Sequence, residues 1–273
     1  MQESNESATS EQCAERDAAD GAGDREFVNS LARGLSVIRA FSREAPEMTL
    51  SEVAARTGLT RAAARRFLLT LDRLGYVCSD GKRFRLAPKV LDLGFAYLSS
   101  MDLWDVAMPY MERVSDEIHE SCSASVIEGC DIVYVARVPT KRIMSVALNL
   151  GARLPAVATS MGRVLLAHLP EAKAYERLAS CPKTAFTRRT VTDPQALWAI
   201  LEDVRAKGWC LVDQELEEGL RSIAVPLRNK RGRVLAAMNA SGHASRVTPE
   251  EMVQRYLPVL QRAAAQIALA LPG

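Results

Sequence analysis

The sequence predicts an α+β chain: an N-terminal winged helix-turn-helix domain, a linker helix, and a C-terminal α/β domain on a mainly antiparallel sheet. Three observations lead there. Between Thr49 and Leu86, two short helical patterns separated by a glycine turn run into a basic hairpin. Beyond residue 120, strand-like stretches are joined more often by hairpin-length loops than by helical crossovers, which favours antiparallel pairing. The 273 residues, 48% hydrophobic and 25% charged, suffice for about two domains at roughly 100–200 residues each.

Residues 1–26 hold eight acids, two bases and almost no large apolar side chains, the composition of a disordered acidic tail. The winged helix-turn-helix is assigned to 27–87. Leu31, Leu35, Ile38 and Phe41 recur at helical spacing and predict a first helix over Ser30 to Ser42. Thr49 and Glu52 form a capping box that opens the second helix, and Gly58 ends it. Thr60 is placed to cap the third. There Ala64, Phe67, Leu68, Leu71 and Leu74 share one face, and Ala62, Arg65, Arg66, Leu69 and Arg73 the other. Tyr76 to Leu86 predicts two strands around Asp80-Gly81, with positive φ expected at both turn positions. Pro88 starts the linker helix, assigned to 88–101.

The second domain is assigned to 102–273. Its expected elements are a helix over Trp104 to His119 and strands over Ser123 to Ile127, Ile132 to Val138 and Ile143 to Leu148. Helices over Gly162 to His168 and Pro194 to Lys207 follow, then strands near Ile223 to Leu227 and Val234 to Ala240. A last helix opens with a second capping box, Thr248 and Glu251, with Pro249 at its first position.

Charge is distributed unevenly. Residues 27–86 carry eleven bases and five acids in a chain whose total is +2, the electrostatic footprint of a nucleic-acid binder. A helix fits the major groove, where arginine can donate twice to guanine. The predicted contact set to double-stranded operator DNA is Thr60, Arg61, Ala62, Arg65 and Arg66 on the helix, with Ala62 small enough to permit close approach. Lys82, Arg83 and Arg85 on the wing suit phosphates or the neighbouring groove. The competing reading of any one arginine is a solvated surface charge.

No apolar run approaches the roughly 20 residues of a membrane-spanning helix, and residues 1–26 lack the pattern of a signal peptide, so a cytoplasmic location with no membrane partner is expected. The six cysteines, at 13, 78, 122, 130, 181 and 210, show no CxxC and no histidine at metal-ligand spacing. Neither a zinc site nor a disulfide framework is expected, no metal or cofactor is assigned, and the cysteines are read as reduced thiols, with a redox sensor as the sharper alternative.

Thr159-Ser160-Met161-Gly162 precedes a predicted helix, and such a start offers free N–H groups to a carboxylate. Ser222, Asn239 and Ser241 bring neutral donors on strands. Arg137 suits an aromatic carboxylate or a buried acid, and Asp213 a ligand hydroxyl or the cap of its own loop. Ser160 has the competing role of a plain helix cap, and Asn239 that of a locally satisfied strand residue. An enzyme is the second class considered, with Cys210, His243 and Asp213 as a conceivable nucleophile set. It lacks support: His243 sits in a Gly-His-Ala-Ser loop, no oxyanion or metal motif accompanies it, and the chain has only three histidines. No catalytic residue is assigned.

From about Phe27 to the C-terminus the chain resembles the IclR family of bacterial transcription regulators. The resemblance lies in Leu31-Ala32-Arg33-Gly34-Leu35, Leu50-Ser51-Glu52-Val53-Ala54 and Leu71-Asp72-Arg73-Leu74-Gly75-Tyr76, then Gly151-Ala152-Arg153-Leu154-Pro155 with Thr159 to Ala167. Gly208-Trp209 through Asp213-Gln214-Glu215 and Gly219 to Pro226 complete it. It implies a GAF-like effector domain with Ser222, Asn239 and Ser241 around the pocket, and a homodimer paired through DNA-binding and linker regions, often assembled into a tetramer. Tyr134-Val135-Ala136-Arg137 and Asp213 to Glu217 further resemble the branch that controls aromatic-acid catabolism through protocatechuate, 4-hydroxybenzoate and the β-ketoadipate pathway. A small aromatic or aliphatic carboxylate effector follows; another carbon-source pathway is the alternative. The chain departs at Arg163 and Ser222, where many members carry Lys and Cys.

Overall fold

The computed structural model describes residues 27–99, 103–139 and 149–271, which fall into two compact units dividing between Tyr97 and Leu98. The expected acidic tail and the strand expected over Ile143 to Leu148 lie outside the described residues.

In the first unit, α1 (Asn29–Ala40), α2 (Leu50–Thr57) and α3 (Arg61–Arg73) bury Val37, Val53, Ala64, Leu68 and Leu71 against one another. Local chemistry sets their ends. Thr49 and Glu52 make the reciprocal capping box, Gly58 closes α2 at φ +67°, and the Thr60 hydroxyl accepts from Ala63 N at 3.2 Å to open α3. Leu74 is 51% exposed because it is the residue after the helix, past the apolar face.

The wing differs from expectation in two ways. It has three strands, in the order β1 (Glu47–Thr49), β3 (Arg83–Leu86), β2 (Val77–Ser79), all antiparallel. β1 is too short to display a period. The register Ser79↔Phe84, with Asp80 N donating to Arg83 O, puts Gly81-Lys82 rather than Asp80-Gly81 at the centre of the turn. Only Gly81 takes positive φ, +94°; Asp80 instead accepts from Lys82 N and Arg83 N at 2.9 and 2.7 Å. A 3-10 turn, Pro88–Val90, and α4 (Leu91–Ser99) follow.

The second unit is a six-stranded antiparallel sheet in the order β6 (Arg153–Pro155), β5 (Asp131–Val138), β4 (Ser121–Glu128), β9 (Val234–His243), β8 (Leu220–Arg228), β7 (Cys210–Asp213). Alternation along β4 sends Cys122 and Ala124 to one face, where α5 (Leu103–Ile118) and α9 (Leu257–Ala270) cover them with Trp104, Met111, Leu260 and Ile267. α6 (Ser160–Ala167), α7 (Glu171–Ser180) and α8 (Pro194–Lys207) bring Val164, Leu165, Leu178, Leu197 and Leu201 to the other face. α9 is preceded by the capped turn Pro249–Glu251 and a π turn, Met252–Tyr256. Among the described residues no helix is long and apolar enough to cross a membrane.

One expectation is overturned. Cys130, in the β4–β5 turn, and Cys181, just past α7, form a disulfide with Cα atoms 5.2 Å apart. Their separation of 51 residues carries no spacing signal, so only the fold reveals the pair. Cys78, Cys122 and Cys210 are free thiols.

Candidate functional site

The chain carries two candidate sites, one in each unit. On the first unit, Arg61, Ala62, Arg65 and Arg66 are all exposed on α3, opposite the buried Ala64 and Leu68, so the helix presents a basic face that packing does not consume. Lys82 and Arg83 are exposed at the tip of the wing. Arg85 is exposed too, and lies 3.9 Å from Glu47 across the β1–β3 pair, which neutralises part of its charge. Backbone N–H bonds from Arg83 and Lys82 hold the Asp80 carboxyl below its ordinary range, so the acid remains an anion that fixes the turn.

In the second unit the register creates a polar row. Ser121 lies opposite Ser241, Ser241 opposite Ser222, and Ser222 opposite Val212; beside it, Arg137 lies opposite Ser123 and Ser123 opposite Asn239. Period-two alternation places these residues on the face toward α6, and they line a cavity of about 650 Å³. Thr159, Ser160 and Met161 form another wall. Thr159 caps α6 by accepting from Gly162 N at 3.2 Å, leaving Ser160 N and Met161 N as first-turn donors. Leu216 to Leu220 close a further side.

A buried hydrogen-bonded hub joins these walls. Ser160 Oγ and Ser222 Oγ are 2.6 Å apart, and Asn239 Nδ2 donates to Ser222 Oγ at 2.9 Å and to Ser241 Oγ at 3.0 Å. Tyr134 faces the same space; burial pushes its phenol up to about 12 against the opposing charge of Arg137, so it remains a protonated donor. The cavity also takes in Glu120, buried and bonded to Arg246 at 3.1 Å, and His243, whose Nδ1 lies 2.7 Å from Ser245 Oγ.

Seven of the nine residues expected around a ligand therefore line one cavity: Arg137, Thr159, Ser160, Met161, Ser222, Asn239 and Ser241. Gly162 and Asp213 do not line it. A Cβ on Gly162 would fall 2.1 Å from Ala156 O, so this glycine lets α6 pack onto the preceding 3-10 turn. Asp213 accepts from Arg189 Nη1 at 2.6 Å and Arg221 Nε at 2.7 Å and is committed to ion pairs. Sequence reasoning missed Ser121, Ser123 and Tyr134, although Ser-x-Ser-x-Ser on β4 is a polar alternation that could have flagged them. The imagined nucleophile set is not assembled: the Cys210 thiol is pushed up to about 11 by burial, and no described hydrogen bond joins it to Asp213 or His243.

A basic helix-turn-helix in the same chain as a cavity with convergent polar side chains defines a class: a DNA-binding regulator with a small-molecule site. Comparison with known proteins narrows it. Residues 95–269 match the family model for the bacterial transcriptional regulator IclR C-terminal domain, and residues 30–81 match that for the IclR helix-turn-helix domain. The chain belongs to the IclR family of transcription regulators. It is 50% identical over 252 residues to the Pca regulon regulatory protein of Pseudomonas putida, covering 92% of this chain and 87% of that one. It is 35% identical over 247 residues to the p-hydroxybenzoate hydroxylase transcriptional activator of Acinetobacter baylyi, covering 89% and 91%. The crystal structure of an IclR homolog complexed with 4-hydroxybenzoate, from Microbacterium hydrocarbonoxydans, superposes with a TM-score of 0.78 at 27% identity, covering 88% of this chain and 98% of that one.

Proposed function

We propose that this chain is a ligand-responsive transcription regulator of aromatic-acid catabolism that binds operator DNA through α3 and the wing and a small carboxylate in the second unit. The observation that carries the reading is the Ser160–Ser222–Asn239 hub at the start of α6. Because Ser222 accepts from Asn239, its own proton is free to go to Ser160, and the Ser160 proton is then available to a carboxylate oxygen beside the helix N-terminus. Arg137 supplies positive charge, and Tyr134 a donor for a ring substituent or second acid. The Pca regulon named for the Pseudomonas relative, the p-hydroxybenzoate hydroxylase named for the Acinetobacter one, and the 4-hydroxybenzoate held by the Microbacterium homolog support an aromatic acid or a product of its ring cleavage.

The regulator acts as a homodimer. Leu31 and Leu35 on α1 and Leu91 and Leu93 on α4 are 45–74% exposed, apolar surface that pairing would cover. Two copies of α3 then read two half-sites of a roughly palindromic operator. The ligand must bind one arrangement of the pair more tightly than the other, since equal affinity shifts nothing. Calorimetric titration of the full chain with 4-hydroxybenzoate, protocatechuate and β-ketoadipate tests the cavity. Ser160→Ala and Asn239→Ala are expected to weaken the acid that binds by about 1–3 kcal/mol each. Binding as tight as the parent's in both variants overturns the assignment.

A further inference from the structure

The Cys130–Cys181 pair lies outside the cavity, yet its neighbours are the cavity's supports. Cys130 O accepts from Ala156 N at 2.9 Å, and Ala156 is the residue on which Gly162 of α6 packs. The residues flanking Cys130 are held as well: Arg153 of β6 bonds to Glu128 and, at 3.1 Å, to Asp131. The β4–β5 turn is thus tied to the segment from Arg153 to Ala158, which runs directly into Thr159, Ser160 and Met161 at the cavity wall. On the other side of the bond, Cys181 ends α7, whose Leu178 shares the core of α6 and α8.

The surroundings also suit thiol chemistry. Cys130 is partly exposed and Cys181 is buried, so a reagent approaches the pair from the Cys130 side. Arg177 donates to Gly129 O, next to Cys130, and Lys183 Nζ donates to Cys181 O at 2.9 Å. Each segment that carries a sulfur thus holds a cation at one of its carbonyls, and cations close to a thiol favour the thiolate. Cys122 and Cys210 differ from the partly exposed Cys130: both are enclosed, and burial raises both thiols.

We propose that Cys130 and Cys181 form a reversible redox modification site whose state sets how firmly the start of α6, and with it the cavity wall, is held. In the forward direction the Cys130 thiolate attacks a peroxide, giving a sulfenic acid and hydroxide. The Cys181 thiolate then displaces hydroxide from that sulfur, closing the bond, and the two thiol protons leave with the oxygens as water. In reverse, a dithiol attacks the sulfur of the partly exposed Cys130, Cys181 departs as thiolate, and the second thiol of the reagent releases Cys130 while becoming a disulfide itself.

The test uses the full chain, treated with dithiothreitol or with hydrogen peroxide, then denatured and capped with N-ethylmaleimide. Intact mass should show two fewer maleimides after peroxide, with a Cys130–Cys181 linked peptide that dithiothreitol opens in the native protein. Peroxide-treated protein in which both cysteines are capped overturns the proposal, as does a bond that the reductant cannot open before denaturation. Hydrogen exchange of the amides from Ala156 to Met161 supplies the second readout. Reduction should raise it roughly tenfold in the parent and leave Cys130→Ser/Cys181→Ser unchanged. Equal exchange in both redox forms of the parent refutes the coupling, and that comparison needs no variant. Because neither readout uses a ligand, failure of this site and failure of the carboxylate assignment, on which its regulatory meaning rests, are separate results.

Discussion

Glu215→Gln is the sharpest test of how the second unit is held together. Arg163 and Glu215 form a two-pronged ion pair, both nitrogen–oxygen distances 2.6 Å, with side chains only 2% and 10% exposed. Arg163 also donates to Val157 O, and Glu215 accepts from Val191 N, so the pair knots α6, the turn before it, and two loops. Glutamine would keep one acceptor and point an N–H₂ at groups that are themselves donors, stranding a buried cation. Removing one partner of such a pair costs about 3–5 kcal/mol. With a urea slope of about 2 kcal/mol/M, the unfolding midpoint should fall by about 2 M. All three tryptophans, Trp104, Trp198 and Trp209, lie in the second unit, so their fluorescence reports its unfolding alone. Arg163→Lys, which keeps the charge but loses the fork, should fall between parent and Glu215→Gln. A Glu215→Gln midpoint within about 0.5 M of the parent, near 1 kcal/mol, would refute the reasoning.

Gly162→Ala should abolish the native tryptophan emission, because its Cβ meets backbone at 2.1 Å, whereas Gly94→Ala on the exposed face of α4 has open space and should leave that emission unchanged. Replacing Arg65 by Ala should weaken binding to a specific operator by about 1–3 kcal/mol and relax its sequence preference, while Lys82→Ala should mainly reduce the salt slope; equal losses on all sequences for both would remove Arg65 from base readout. At about pH 8, iodoacetamide should modify Cys78 in the native protein and spare Cys122 and Cys210, whose thiols burial raises; rapid labelling of Cys210 counts against the enclosed setting.

Elements whose signals are local were legible in the sequence. The α2–α3 pair follows from a capping box, a glycine and a second cap within a dozen residues. α8 spans the Pro194 to Lys207 that its pattern predicts, and the structure shows its ends held by Asp193 accepting from Ala196 N and by Gly208 at φ +78°. The cavity was legible where it is contiguous, at Thr159 to Met161, and at polar residues on strands that the family resemblance pointed out. Tyr134 and the serines of β4 stayed hidden because their role depends on β4 lying between β5 and β9, a pairing no local pattern specifies. The surroundings of Asp213 and Gly162 were illegible for the same reason: the arginines that engage one and the backbone that crowds the other are brought close only by the fold. The disulfide is the extreme case, two unremarkable cysteines joined by topology.

The sheet order carries a consequence for how the chain matures. β4 is the first strand of the second unit and β9 the last, and they pair at its centre, Ser123 opposite Asn239. A ribosome-bound chain can build the outer hairpins as it emerges, but the central seam waits until almost the whole unit has been synthesised. Such late closure of distant segments is intrinsically slow. Closure of the cavity therefore comes last, and any ligand that binds only the closed cavity favours completion of the seam in nascent protein by mass action.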